Sequence, residues 1–309
     1  MEPSECYRGR RERGAGNMNR RAFATGLAAL WLAGCNLRER HVSVGTKNFT
    51  EQLVLGELLA QVLETRINIP VERRFNLAGT YICQQAILAG RIDLYVEYTG
   101  TALAAILKQP VLSDSKAVFE IVRREYQRRF NLIVMPSLGF NNSFAIALRG
   151  DDERAAGIAR LSDLAANAPR MRIGVGYEFL ERPDGFAGLA RTYGLQFAAP
   201  PTVMDLGLLY RALQAKQVDV VAGSNTDGII GALGLKVLQD DRHYFPPYDA
   251  VPIVRPEALQ QVNGMRAAME QLIGRISTQD MRRMNYAVDG QKREISDVVH
   301  DFLRTLALS

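Results

Sequence analysis

Three histidines, His41, His243 and His300, are scattered through 309 residues, and none has a second histidine or a cysteine at metal-ligand spacing. The sequence carries no G-x-S-x-G, Walker A or H-E-x-x-H pattern and no G-x-G-x-x-G after a strand; the lone Gly174-Val175-Gly176 reads as a strand end. The acid pairs Asp151-Asp152 and Asp240-Asp241 read as solvated loop charges rather than as a general acid and base. What the chain does offer is rings, cations and a hydroxyl at turn positions: Lys47, Tyr98, Thr101, Phe144, Arg182 and Tyr248. Ring faces attract cations, and ammonium, guanidinium and hydroxyl donors hold carboxylates. Such a set binds a solute without transforming it. No catalytic residue, metal or cofactor is expected.

These residues need elements to carry them. Ile92 to Thr101 reads I-D-L-Y-V-E-Y-T-G-T, an apolar and aromatic run that suits a strand buried on both faces. Thr99-Gly100-Thr101 then turns the chain into a helix over 102–108. A small polar turn between a buried strand and a helix lies at the carboxyl end of a sheet, where open α/β sheets bind ligands. Tyr95, three residues before Tyr98 on the strand, should face the opposite way and join the core. The phrase recurs: Ala86-Ile87-x-Ala89-x-x-Ile92-Asp93-Leu94 matches Ala212-Leu213-x-Ala215-x-x-Val218-Asp219-Val220, and the second copy runs into Thr226-Asp227-Gly228. Two similar helix–strand–turn units suggest two similar lobes facing one another.

The remaining pattern alternates strand and helix, which argues for mainly parallel sheets. Strands are expected near 42–44, 70–75, 132–135, 145–148, 171–175, 218–223, 235–238 and 250–254. Asn48 is placed to cap the helix that follows, with Glu51 completing a capping box, and Ser162 to cap another. Residues 177–185 read as a loop. The polar joint Gly139 to Phe144 and the proline-broken stretch Asp240 to Asp249 are the expected crossings between lobes. Helices over 256–273, 278–288 and 295–308 close the chain. The resulting boundaries are 42–140 with 246–309 for lobe one and 141–245 for lobe two.

The net charge of +5 owes much to the first 34 residues, where six arginines face three glutamates, leaving only +2 elsewhere. Nucleic-acid binding therefore lacks compositional support. Residues 1–34 read as a leader: Met18-Asn19-Arg20-Arg21 is a basic n-region, and Ala22 to Gly34 is an apolar stretch too short to span a bilayer comfortably. Arg20-Arg21-Ala22-Phe23 also looks like a twin-arginine export signal. Residues 1–17 match no export element, so an over-extended start ahead of Met18 is a plausible reading. Leu32-Ala33-Gly34-Cys35 resembles the lipobox of bacterial lipoproteins, which makes Cys35 the lipidation candidate and 35–41 a tether. Cys83 is then the lone thiol of the body and reads as core.

Six phrases in one order carry a family resemblance: K-N-F-T-E-Q at 47–52, Y-V-E-Y-T-G-T at 95–101, G-F-N-N-S-F at 139–144, E-F-L-E-R-P-D-G at 178–185, T-D-G at 226–228 and F-P-P-Y-D at 245–249. In that order they resemble the substrate-binding proteins of ABC importers for glycine betaine, choline and related osmoprotectants, across residues 42–309. The resemblance implies a type II periplasmic-binding fold: two α/β lobes, a two-strand hinge, and a ligand held between the lobes with its quaternary ammonium in an aromatic box. It implies Tyr98 and Tyr248 as box rings and Phe144 where the family usually has tyrosine. Ser224 stands where betaine binders commonly carry another ring, so that wall is missing or replaced by a ring such as Tyr177. Arg182 matches a carboxylate-binding arginine, supported by Lys47 and Thr101. The room at Ser224 suits a larger betaine, for example an ergothioneine-like histidine betaine. The implied partners are a quaternary ammonium solute, an ABC permease and ATPase on separate subunits, and the membrane through a lipid anchor. The implied protein is an extracytoplasmic monomer. A ligand-sensing module of a signalling system and an α/β enzyme are the alternatives from other classes.

Overall fold

The computed structural model describes residues 41–308. The expected leader, Cys35 and all of the tether before His41 lie outside the described residues. Strand β1 (Val42–Gly45) pairs in parallel with β2 (Val71–Arg74) and with β3 (Leu94–Tyr98). Strand β4 (Ile133–Val134) and β10 (Ala250–Val254) complete a five-stranded sheet in the order β2-β1-β3-β10-β4. The second sheet, in the order β7-β6-β8-β5-β9, holds β5 (Phe144–Leu148), β6 (Ile173–Val175), β7 (Thr202–Val203), β8 (Val220–Ser224) and β9 (Lys236–Val237).

Parallelism is only half of what alternation suggested. In each sheet two pairings are parallel and two antiparallel, because one strand, β10 in the first and β5 in the second, runs against the other four. That reversed strand is where the chain arrives from the other sheet, so it enters from the opposite end. The two connecting segments run side by side: Asn142 N–H donates to Tyr248 O at 2.9 Å, Ala250 N–H to Phe140 O at 3.1 Å, and Asn141 bridges Asp249.

The repeated phrase marks the same place twice. β3 and β8 each occupy the third position of their sheet, and each is fed by a helix, Thr80–Leu88 and Leu209–Gln214. The aspartate in each copy does the same work. Asp93 Oδ2 accepts from Ser43 N–H and Asp219 Oδ2 from Arg172 N–H, both at 2.9 Å, pinning the start of the neighbouring parallel strand. Each also meets an arginine leaving the reversed strand, Arg255 at 3.3 Å and Arg149 at 3.2 Å.

Helix Thr50–Ile67 crosses the face of sheet one bearing Leu94, Val96 and Tyr98, with Leu55, Leu58, Leu59 and Leu63 buried. Each such side chain contributes roughly 1.5–3 kcal/mol when fully removed from water. The helix ends at Asn68 in the left-handed region, a conformation asparagine tolerates. Tyr95 lies on the other face, fully buried with Cys83 and Tyr126, as its offset from Tyr98 required. Thr99–Thr101 is a helical turn rather than a loop and runs into a π-helical stretch, Ala102–Ile106. Four local expectations fail. Phe49, not Asn48, is the N-cap of Thr50–Ile67, with no side-chain bond. Ser162 lies inside helix Leu161–Leu164 and bonds Asp241 Oδ2 at 2.6 Å. Residues Tyr177–Glu181 form a helix where a loop was expected. The segment 256–273 is two helices, Pro256–Gln261 and Met265–Glu270, separated by Gly264 at φ +82°. Among the described residues no helix is long and apolar enough to cross a membrane.

Candidate functional site

The rings meet where the crossing segments join the two sheets. Ala250 stands opposite Tyr98 in the β3–β10 register, and Tyr248, two residues earlier, falls on the same sheet face beyond the end of β3. Tyr98 and Tyr248 both belong to the side of sheet one. The facing rings come from sheet two. Phe144 opens β5, and its centroid lies 4.6 Å from Phe179, 5.3 Å from Phe245 and 5.5 Å, edge-on, from Tyr248. Tyr177, the ring suggested as a replacement wall, is 69% exposed. Helix Tyr177–Glu181 instead turns Phe179 inward, a placement that required knowing the segment was helical.

Arg182 follows that helix and is buried against the rings. Its guanidinium carbon lies 5.4 Å from the Phe144 centroid and 5.8 Å from that of Tyr248, so two rings already hold a cation. One edge is committed to Asp184: Nε donates to Oδ1 at 2.9 Å and Nη2 to Oδ2, while Tyr248 OH also donates to Asp184 Oδ2, at 2.7 Å. Burial opposes the charge on Arg182, but Asp184 outweighs it and holds the guanidinium more firmly protonated than usual. Asp184 lies only two residues beyond Arg182, close enough in sequence to be a candidate partner.

Lys47 follows β1 and is buried with Glu97 of β3, to which its ammonium bonds; Nζ lies 4.8 Å from the centre of the Tyr98 ring. The ammonium expected to reach a ligand carboxylate is thus paired inside the protein. Thr101 is buried in the helical turn after β3. Ser224 ends β8 directly opposite Phe144, donates to Asn142 Oδ1 and lies 2.8 Å from Thr226 Oγ1. Of the seven expected residues, Phe144, Arg182 and Tyr248 form one cluster, Lys47 and Tyr98 a second, Ser224 lies in a third, and Thr101 joins none of them.

Glu51 links the second and third clusters. Its carboxylate takes Tyr98 OH at 2.6 Å, Asn142 Nδ2 at 2.6 Å and Asn285 Nδ2 at 3.2 Å. Asn285 Nδ2 also reaches Thr226 O at 3.0 Å, and Arg282 Nε reaches Asn225 O at 2.6 Å. Sheet one, a crossing segment, the turn after β8 and helix Thr278–Asp289 therefore share one buried acid. Burial raises the Glu51 pKa, with hydrogen bonds from Thr226, Tyr98 and Asn285 acting against it. Asp227 is close by, its pKa raised to about 6 by burial although Tyr210 OH and Ser224 N–H stabilise the anion. Sequence reading assigned Glu51 to a helix cap. No pattern distinguishes a capping glutamate from a buried one.

The family description "Substrate binding domain of ABC-type glycine betaine transport system" matches residues 40–305. The carnitine transport binding protein OpuCC of Listeria monocytogenes is 30% identical over 90% of this chain and 92% of its own length. A Helicobacter pylori (strain G27) protein, ergothioneine transport permease/ergothioneine binding protein EgtU, is 35% identical over 91% of this chain; the matched region is about half (50%) of that relative. A crystal structure of a glycine betaine/carnitine/choline ABC transporter protein superposes with a TM-score of 0.71 at 30% identity, over 86% of this chain and 99% of that one.

Proposed function

Because the chain belongs to the substrate-binding domains of ABC-type glycine betaine transport systems, we propose that it captures a quaternary ammonium solute outside the cytoplasm and hands it to a separate permease. The carrying observation is the guanidinium lying against both Phe144 and Tyr248. A trimethylammonium head has no N–H to donate, so ring faces are the means of attracting it, at about 0.5–2 kcal/mol per contact. The same rings with Tyr98 and Phe179 supply such faces. Arg182, its Nε and Nη2 fixed by Asp184, keeps the Nη1 edge for a solute carboxylate.

The lobes, 42–140 with 246–309 and 141–245, close about the paired crossing segments. Closure is a population shift driven by solute contacts on both sides. The chain acts as a monomer, anchored by lipid at Cys35, with permease and ATPase on other subunits. The proposed role is binding rather than catalysis.

A betaine larger than glycine betaine is favoured by Ser224, which puts a small side chain directly opposite Phe144, and the Helicobacter relative is named for such a solute. A thermal-shift and calorimetric panel of glycine betaine, choline, carnitine, proline betaine and ergothioneine tests the reading. A ligand present at 100 times its Kd should add about 2.7 kcal/mol of stability. Binding of none of the five would overturn it.

A further inference from the structure

Away from the ring cluster, a cavity of about 630 Å³ lies open along the edge of sheet one. Its floor is Ile133 and Val134 of β4, the last strand of that sheet. Met135 N–H donates back to Pro252 O on β10 at 2.9 Å, so Val134, one residue earlier, turns its N–H and C=O the other way, where no strand follows. The walls come from both faces of the sheet. Arg123, Arg124 and Arg128 stand on helix Ser115–Phe130, whose Val118, Val122 and Tyr126 pack with Tyr95 and Val134 on one face. Arg266 belongs to helix Met265–Glu270, which packs on helix Thr50–Ile67 over the opposite face.

The cations outnumber their partners. Helix Ser115–Phe130 carries five of them against Glu120 and Glu125, a net +3, whereas everything after residue 34 sums to only +2. Glu125 alone serves Arg124 at 3.4 Å, Arg128 at 2.7 Å and Arg129 at 2.9 Å. Glu120 holds Arg123 at 2.7 Å, and Glu270 comes only within 3.9 Å of Arg266. The four cavity arginines keep 49–65% of their side chains exposed. Charges on an edge strand also discourage strand addition, but that does not require arginines converging from both faces.

Topology places the cavity relative to the proposed anchor. β1, β3 and β4 share one direction and β10 opposes them, so β1 and β4 begin at the same edge of the sheet, opposite the edge that bears the rings. Helix Ser115–Phe130 runs down to that edge before β4. β1 is three strand positions from β4, about 14 Å. Cys35 precedes Val42 by seven residues, at most about 25 Å of chain. A chain anchored at Cys35 therefore has the cavity within reach of the bilayer surface.

We infer that this cavity receives an anionic phospholipid headgroup. The inference takes its orientation from the lipid anchor proposed above. Guanidinium forks suit phosphate oxygens, Val134 N–H adds a donor, and a glycerol headgroup has hydroxyls to give to Val134 O. The single outward N–H and C=O pair on β4 is too little for a peptide to add as a strand, which favours a headgroup over an acidic segment of a protein. Held this way, lobe one turns its ring-bearing edge away from the bilayer, toward arriving solute.

The test is calorimetry on the full chain with four probes: short-chain phosphatidylglycerol and phosphatidylethanolamine below their micelle concentrations, inorganic phosphate, and a hexaglutamate peptide. Wild type is compared with Arg124→Gln/Arg266→Gln and with Arg211→Gln, an exposed arginine on helix Leu209–Gln214. Wild type should bind phosphatidylglycerol tightest, and less tightly as salt rises. The double variant should weaken it about 10–30-fold, and Arg211→Gln should stay within about twofold. No preference for phosphatidylglycerol over phosphatidylethanolamine or phosphate would overturn the inference, as would a peptide bound equally well or an equal loss in Arg211→Gln. Solute affinity measured on the same proteins should not change, so a failed headgroup result leaves the solute reading standing. The mass of the chain recovered from membranes reads lipidation of Cys35 separately. Should the double variant not fold, Arg123→Gln carries the test.

Discussion

Tyr98 donates its hydroxyl proton to Glu51 Oε1 at 2.6 Å, and the same oxygen accepts from Asn142 Nδ2 at 2.6 Å. A ring proposed to touch the solute is thereby tied to the segment on which the lobes would hinge. Asn285, on helix Thr278–Asp289 packed against helix Thr50–Ile67, reaches Glu51 from the side of sheet one, and Thr226 in the turn after β8 meets it from the side of sheet two.

The Glu51 carboxyl has a raised pKa in this arrangement, burial being the largest cause. If opening returns it to water, its pKa falls toward the ordinary 4.5, so closure takes up a proton. Affinity should then be greatest at low pH and fall as pH rises above about 4.5 through the raised value. Titrations across that range with wild type and Glu51→Gln check this: the variant should bind with a much flatter pH profile. An equally steep profile would show that Glu51 is not the group that titrates.

Tyr98→Ala and Tyr248→Ala should each weaken solute binding by roughly 1–2 kcal/mol, the loss of one ring face. Calorimetry with the solute that binds most tightly is the measurement. Unchanged affinity in both would remove these rings from the site.

Arg182 is expected to discriminate between solute classes. Arg182→Ala should cost a carboxylated betaine much more than choline, since choline loses no charge-assisted bond. The substitution also strands Asp184, buried at 0% exposure, so Arg182→Ala with Asp184→Asn separates binding from lost stability. Equal losses for both solutes in the double variant would count against a carboxylate-holding role.

The buried Lys47–Glu97 pair yields a stability prediction. Lys47→Met leaves Glu97 as an uncompensated charge in the core and should cost about 3–5 kcal/mol in denaturant unfolding. Lys47→Met with Glu97→Gln should recover much of that. If the single and double variants were equally unstable, the loss would lie in the lysine stem rather than in the charge.

Asp227 titrates against folding. Its folded pKa of about 6 exceeds the unfolded 3.8, so its contribution is complete below pH 3.8 and is lost as pH rises through 6. The total is on the order of 3 kcal/mol. Asp227→Asn should flatten stability measured between pH 4 and 7; a slope matching wild type would assign the effect to Glu51 or Asp289.

Periodicity and turn chemistry were enough to place nearly every strand, to pair Ile92-Asp93-Leu94 with Val218-Asp219-Val220, and to send Tyr95 and Tyr98 to opposite faces, because those features follow from local geometry with a period of two. The order of six short phrases was enough to indicate the family. Strand direction was not local. β5 and β10 are reversed because each arrives from the other lobe, and no residue within them records that. The same holds for the charges. Lys47 looked like a free donor until Glu97, 50 residues away in sequence, was seen to take it, whereas Asp184, two residues from Arg182, was a neighbour the sequence already offered it. Glu51 became a shared acid only when segments near residues 98, 142, 226 and 285 were brought together. Side-chain type sets what a group can bond. Which partner it meets is decided largely by contacts between segments distant in sequence, and those exist only once strands and helices have assembled.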